Sequence, residues 1–366
     1  MLPTRLRALR ALLDTRHIDG VALVPGANLF YLTGLRKTLS ERPYVLFIMG
    51  DRDPHLLLPD FEAPEAAAHL GTDARLHVYN DVQGFGGAFR QVAQDLGLAH
   101  ARLSVEFTAM RVLERQQIAE ATAGVEFVDA DGLFASLRVR KDAAEIELMK
   151  AAAHVNEQAF VEVMRTVAAG QSERRIVADY QIAALRAGAD RLAFDPIVVA
   201  GPNGAFPHAH PTERIIEAGE LVTMDCGTSL GGYCSDITRT FAVGDPGPEL
   251  RAIYEAVRMA NAIGREAARP GITAQELDWT VRRAIVDAGY GAYFTHRTGH
   301  GLGLEVHEAP YIVDGNELTL DPGMVFTIEP GIYVPGLGGV RIEDNVAITA
   351  SGCELLTDLR RDLIVV

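Results

Sequence analysis

Four acidic residues and a histidine carry the strongest chemical signal in this chain. Asp225 and Asp236 lie in MDCGTSLGGYCSDITRTF (224–241), where Gly231–Gly232 predicts a two-residue hairpin turn. That turn pairs Leu230 with Tyr233 and sets Asp225 opposite Thr238. Asp236, two residues from Thr238, falls on the same face, so the two carboxylates become diagonal neighbours roughly 7–8 Å apart at the backbone. Glu329 and Glu343 flank a second turn, PGLGG, and an odd-length loop centred on residue 336 would set them directly opposite one another. Like charges so placed, in strands rich in Val, Thr, Ile and Phe, are unfavourable unless a cation lies between them. Between the hairpins His300 stands in GHGLGLEVHE, where glycines permit close approach, and His307 follows in the same segment. One acidic pair on a hairpin is ordinarily a solvated face, and one histidine is ordinarily a hydrogen-bonded structural residue. Four carboxylates and an imidazole in glycine-bounded strands form an oxygen-rich, mixed-nitrogen donor set. It suits a pair of Mn²⁺, Co²⁺ or Zn²⁺ ions rather than a thiolate zinc site. A competing motif, Gly227-Thr228-Ser229-Leu230-Gly231, fits GxSxG but is followed by a strand instead of the helix that a nucleophile elbow requires.

The chain as a whole restricts the partners of such a site. Its 366 residues, at roughly 150 per domain, suggest two domains. Lys and Arg total 34 against 49 Asp and Glu, a formal charge of −15. An acidic surface repels phosphate backbones and anionic lipid, so neither nucleic acid nor a membrane surface is expected as a partner. Cys226, Cys234 and Cys353 cannot all pair within one chain, and no CxxC occurs, which suits a reducing compartment. The N-terminus spreads arginines through its leucines with a helical period, unlike the unbroken apolar run of a signal peptide. No stretch approaches the roughly 18 apolar residues that span a bilayer. A soluble, cytoplasmic protein is expected.

Residues 4–14 read as an amphipathic helix, and Val21–Val24, Tyr44–Met49 and Leu56–Leu58 as strands. Helices follow over Ala63–Leu70, 87–96 and 107–120. Strands separated by helices predict an α/β layer with several parallel neighbours. GFGGAF (84–89) has the wrong spacing for a dinucleotide loop and reads as a plain loop. From about residue 135 the texture changes to long helices, Lys141–Ala168 and 173–187. Strands and hairpins come next, then helices near 248–268 and 274–288, then glycine-rich strands. The expected domains are 1–134 and 135–366.

The hairpin segments resemble the "pita-bread" metallopeptidases, the family of methionine aminopeptidase, aminopeptidase P and prolidase. The matching pieces are FDPIVVAGPNGAFPH (194–208), MDCGTSLGGYCSDITRTF (224–241), HRTGHGLGLEVHE (296–308), FTIEPGIYV (326–334) and RIED (341–344). The short Glu329–Glu343 interval and the long leading domain resemble the proline-specific branch. The resemblance implies an α+β chain, with an N-terminal α/β creatinase-like domain serving dimerisation and substrate gating ahead of a pita-bread catalytic domain. It implies two divalent ions, Mn²⁺ foremost, held by Asp225, Asp236, His300, Glu329 and Glu343, with Asp236 and Glu343 bridging. His208, favoured over His210, would stand beside the active site with His296 and His307, and Arg341 just behind the ligands. The expected reaction is hydrolysis of the Xaa-Pro bond by a metal-bridging hydroxide, with Glu329 shuttling the proton and a homodimer as the working form.

Dipeptide and longer-peptide specificity part at the proline carboxylate. A fixed cation favours dipeptides, because a continuing chain leaves it desolvated and unpaired. In prolidases of this family a loop of the N-terminal domain reaches towards an active site. TGLRKTLSERP (33–43), with Arg36, Lys37 and Arg42, is the candidate loop here, and Arg297 is another candidate carboxylate partner. Prolidase is the preferred reading. Aminopeptidase P is the alternative, and a metal-free binding module on the same fold is a remote one that the full ligand set opposes.

Overall fold

The apolar runs GVAL, VLFIM and HLLLP form the buried centre of a six-stranded sheet. The computed structural model describes residues 1–366, which divide into two units, Met1–Leu137 and Arg138–Val366. In the first unit the strands are β1 (Gly20–Leu23), β2 (Val45–Met49), β3 (His55–Pro59), β4 (Arg75–Tyr79), β5 (Arg102–Val105) and β6 (Glu126–Asp129), in the order β4-β3-β2-β1-β5-β6. The pairs β3/β4, β1/β5 and β5/β6 are parallel. The pairs β1/β2 and β2/β3 are antiparallel, so the layer is mixed; the five residues between β2 and β3 are too few for a crossover helix. Helices α1 (Pro3–Thr15), α2 (Ala27–Thr33), α3 (Ala63–Leu70), α4 (Gly86–Leu96), α5 (Val112–Ala121) and α6 (Asp131–Arg138) alternate with them. Helix α5 starts later than the pattern from 107 predicts, because Ala109 and Met110 turn back to bond the Glu106 carbonyl. His55 and His77 are buried where β3 meets β4, and that burial lowers both imidazoles, His77 to about 4.

The second unit opens with α7 (Ala143–Met164). Asp142 starts it by accepting from the Glu145 amide while Glu145 reaches back, a capping box that places the start two residues inside the predicted run. Helix α8 (Glu173–Arg186) follows, capped by Ser172. Then come β7 (Arg191–Leu192), β8 (Ile197–Ala200), β9 (Glu220–Cys226), β10 (Thr228–Leu230), β11 (Tyr233–Cys234) and β12 (Ile237–Val243). After helices α9 (Gly247–Ala267) and α10 (Ala274–Asp287), the strands are β13 (Gly299–Gly301), β14 (Glu308–Ile312), β15 (Val325–Ile328), β16 (Gly331–Val334), β17 (Gly338–Arg341), β18 (Asp344–Ile348) and β19 (Cys353–Leu355). Phe160, Tyr180, Met224 and Phe241 share one core, and Val257, Ala260, Ile332 and Val340 share another, so each helical pair covers its own strands. None of the helices is long and apolar enough to cross a membrane.

Both hairpins have the expected registers. Leu230 faces Tyr233 across Gly231 and Gly232, both at positive φ, and Asp225 faces Thr238. The second hairpin runs in one register from Ile328↔Asp344 to Val334↔Gly338, but its ladder breaks where Glu329 and Glu343 stand. Asn261 of α9 fills that break. Its amide, fully buried, donates to the Ile328 carbonyl at 3.1 Å and to the Ile342 carbonyl at 3.2 Å. Residues 359–366 form a strap along β12, with the Ala242 amide donating to the Ile364 carbonyl at 2.8 Å and the Val366 amide to the Ala242 carbonyl at 2.9 Å. Arg239 joins the Leu359 carbonyl at 2.8 Å to the buried Asp344 carboxylate at 2.7 Å, and Arg361 bonds Asp344 at 2.8 Å.

Asn261→Ala strands two buried carbonyls at once. It is expected to lower stability by about 2 kcal/mol in chemical denaturation, against about 1 kcal/mol for an ordinary substitution. A change no larger than that would show that the break in the ladder stands without the amide.

Candidate metal centre

Five side chains meet where the two hairpins converge. Asp225 comes from β9, Asp236 from the residue before β12, His300 from β13, and Glu329 and Glu343 from the two sides of the broken ladder. They line a cavity of about 630 Å³ that also receives His208, His296, Arg297, His307 and Arg341. His300 Nε2 lies 3.4 Å from Glu329 Oε1 and 3.8 Å from Asp236 Oδ2. One donor atom each from Asp236, His300 and Glu343 falls within 4.8 Å of the others.

The backbone is tailored to this convergence. A Cβ on Gly299 would sit 1.9 Å from the Thr327 carbonyl oxygen, so only glycine lets β13 approach β15 and bring His300 beside Glu329. The Glu343 amide donates to the Thr238 carbonyl at 3.0 Å and the Glu329 amide to the Thr298 carbonyl at 2.8 Å. Asp278, buried on α10, accepts from the Thr298 amide at 3.0 Å. Asn345 holds the Asp236 backbone from both sides, donating to its carbonyl at 2.6 Å and accepting from its amide at 3.1 Å.

Three of the four carboxylates accept a hydrogen bond on one oxygen. Asp225 Oδ2 accepts from Arg341, and Glu343 Oε2 accepts from the Thr238 hydroxyl at 2.7 Å. Glu329 Oε1 accepts from the Thr327 hydroxyl at 3.3 Å. Of the remaining oxygens, Asp225 Oδ1, Asp236 Oδ1 and Glu343 Oε1 are buried and accept no hydrogen bond. Burial, followed by repulsion from neighbouring carboxylates, pushes Asp236 and Glu343 well above the ordinary range. Burial also raises Glu329, to about 7, although the Arg341 cation pulls it back. The imidazoles are held uncharged: burial lowers His300 to about 3 and His296 to about 4, and lowers His307 as well. Uncharged imidazole and unpaired carboxylate oxygens are the donors that divalent transition ions take, so the residues present fit such a metal.

A hydrogen-bonded row runs behind the cavity. Arg341 donates to Tyr333 Oη at 2.9 Å, and Tyr333 Oη meets His296 Nε2 at 2.9 Å. Arg341 also reaches the Pro207 carbonyl at 3.2 Å, next to His208. Tyr333 is a functional residue that the hairpin patterns do not mark, since its partners Arg341 and His296 lie on other elements. Its signal was Gly331, where a Cβ would lie 2.4 Å from Tyr333 Oη. Thr238, Thr327, Asp278 and Asn345 were missed too, being ordinary strand and helix residues whose partners are distant in sequence.

The predicted arginines fall into two groups. Arg297 lies on the cavity wall, its guanidinium 4.5 Å above the Tyr311 ring. Arg36 and Arg42 belong to the first unit: Arg36 is exposed and lies 5.3 Å over Phe30, while Arg42 clasps Asp81 at 2.8 and 2.9 Å. His210 is exposed and is not among the lining residues.

Residues 147–350 match metallopeptidase family M24, and residues 5–140 match the creatinase/prolidase N-terminal domain. The Xaa-Pro dipeptidase of Pyrococcus furiosus is 36% identical over 98% of this chain and 99% of its own. Among solved structures, the dipeptidase from Pyrococcus horikoshii superposes with a TM-score of 0.94 at 38% identity, over 99% of this chain and 100% of its own. The X-Pro aminopeptidase from Thermotoga maritima superposes at 0.85 and 30% identity, over 98% and 100%.

The raised carboxyl of Glu329 has a signed consequence in the metal-free protein. A group whose folded value lies above its unfolded one favours folding at low pH, and the favour is lost as pH rises through the folded value. Metal-free Glu329→Gln is therefore expected to gain on metal-free wild type as pH rises from about 4.5 through 7. The opposing contribution of the histidines is common to both proteins. A stability difference by thermal denaturation that is flat across that range would remove the assigned burial of Glu329.

Proposed function

This chain belongs to metallopeptidase family M24, and on that premise we propose that it hydrolyses the Xaa-Pro bond, chiefly of dipeptides. The observation that carries the reading is the set of orphaned oxygens on Asp225, Asp236 and Glu343, converging with His300 in one cavity. Relatives named Xaa-Pro dipeptidase, similar along almost the whole chain, support the substrate class.

In this reading Asp225, Asp236, His300, Glu329 and Glu343 would hold two divalent ions. Mn²⁺ is the first choice and Co²⁺ or Zn²⁺ the others. Bound there, the ions supply water activation at neutral pH and polarisation of the scissile carbonyl. Glu329, the most exposed of the four carboxylates at 15%, takes the proton released from the attacking water at its Oε atoms. His307, uncharged and facing the cavity, donates towards the developing oxyanion, with His208 beside it. Glu329 then passes that proton on, with an imidazole as relay, to the leaving proline nitrogen, which departs as a secondary amine and had no N–H in the peptide. His296 and Arg341 hold Tyr333 and Asp225 in place from behind.

Arg297 is the proposed reader of the proline carboxylate. It already lies on the cavity wall, whereas Arg42 would have to release Asp81. Arg36 stays a second candidate through the N-terminal loop. A homodimer formed through the N-terminal unit, where Phe107 is 61% and Val112 76% exposed, belongs to the same proposal. So does a cytoplasmic location, consistent with three free cysteines.

Metal-stripped protein reloaded with Mn²⁺ is expected to cleave Ala-Pro and to leave Ala-Pro-Ala nearly intact. Efficient cleavage of the tripeptide would make it an aminopeptidase, and failure on both would end the peptidase reading. Glu343→Gln should lose metal by more than about 100-fold in affinity, and activity with it, while its far-UV circular dichroism stays unchanged. Arg297→Ala should raise KM for Ala-Pro by about 10- to 100-fold and spare the slow tripeptide reaction; equal effects on both substrates would take the carboxylate away from Arg297.

A further inference from the structure

A second cluster of ligand-type side chains lies wholly within the N-terminal unit, and the metallopeptidase chemistry makes no use of it. His55 projects from β3, His77 from the edge strand β4, and Asp95 from the last turn of α4. One donor atom from each lies within 4.8 Å of the other two. Both histidines are buried, at 6% and 7% exposure, and the Asp95 side chain is 15% exposed.

Three features of the cluster are unusual for a structural polar patch. His77 Nε2 and His55 Nδ1 face one another at 2.9 Å, so in the absence of an ion one of two uncharged rings must lend a proton to the other. Asp95 Oδ2 is buried and accepts no hydrogen bond, although Oδ1 takes the Gln91 amide at 2.7 Å. The nearest cation, Arg75 Nη1, is 3.1 Å from Oδ2 without donating to it, on a side chain 62% exposed that can swing into solvent. Two imidazoles and one carboxylate leave water for the remaining position, a set typical of Zn²⁺, Co²⁺ or Ni²⁺ and unlike the all-oxygen shells of Mg²⁺ and Ca²⁺. A tetrahedral ion with Zn–N near 2.0–2.1 Å separates its two nitrogens by about 3.3 Å, so the histidines need to part by about 0.4 Å and tilt.

We propose that His55, His77 and Asp95 form a further divalent transition-metal site that ties the edge strand β4 to β3 and α4. When the ion binds, the ring that donates between the two histidines moves its proton to its other nitrogen, so that both facing nitrogens offer lone pairs, and the ion replaces the exposed Arg75 as the charge partner of Asp95 Oδ2. The role is structural: β4 is paired on one side only, and the site fastens it to the rest of the sheet.

The test is equilibrium dialysis of the full-length, metal-stripped chain against Co²⁺, with the bound ion read by its visible absorption and by elemental analysis. Wild type is expected to bind one equivalent more than Asp95→Asn or His77→Gln, with peptide hydrolysis equal in all three. In a Glu343→Gln background the extra equivalent should persist, so failure of the catalytic metal centre does not mask it. Asp95→Asn, the same size and near the surface, decides the matter if His77→Gln does not fold. Equal cobalt in wild type and Asp95→Asn, in both backgrounds, would overturn the site.

Discussion

Carboxylates buried side by side repel one another, and the C-terminal unit is arranged around that repulsion. Asp225, Asp236, Glu329 and Glu343 are carried on two hairpins. Arg341 offsets one negative charge, and the Thr238 and Thr327 hydroxyls satisfy single oxygens. What is left over is a set of inward-facing acceptors with no hydrogen-bond partner in the protein, which a divalent cation answers together. The surrounding strands are hydrogen-bonded, glycine-tight and helix-covered, so the carboxylates cannot relax apart.

That rigidity comes from residues that touch no substrate. Asn261, Asp278 and Asn345 are each buried, and each bonds backbone at a place where a ligand leaves the regular ladder. A strand holding a ligand at an interruption can point the side chain inward without a neighbour's pleat dictating its direction, but the freed backbone groups then need partners. Amide and carboxylate side chains supply them, Asn261 and Asp278 from the covering helices and Asn345 from β18. The helices thus do more than cover apolar surface: they complete the strands at the points where function has broken them.

The hairpins were readable because turn chemistry and a period of two are local rules. Gly231–Gly232 placed Asp225 opposite Thr238, and the PGLGG loop placed Glu329 in register with Glu343, before any three-dimensional information. The mixed direction of the N-terminal sheet was harder to foresee, since it depends on the connection between β2 and β3 being too short to cross over. Tyr333 escaped notice because its partners Arg341 and His296 come from other elements, and a tyrosine in a strand is an ordinary occupant. The pairing of Arg42 with Asp81 was invisible for the same reason: nothing local in the sequence brings residues of separate loops together.

The C-terminal strap sets the order in which this molecule can be made. Residues 359–366 lie along β12, and Arg361 reaches the buried Asp344, the neighbour of Glu343. Synthesis runs from the N-terminus, so the six-stranded sheet is free to fold while these residues are still inside the ribosome. The Arg361–Asp344 pair beside the acidic cluster can form only after the strap emerges. This side of the C-terminal unit is therefore completed late, after the N-terminal sheet has been free to form.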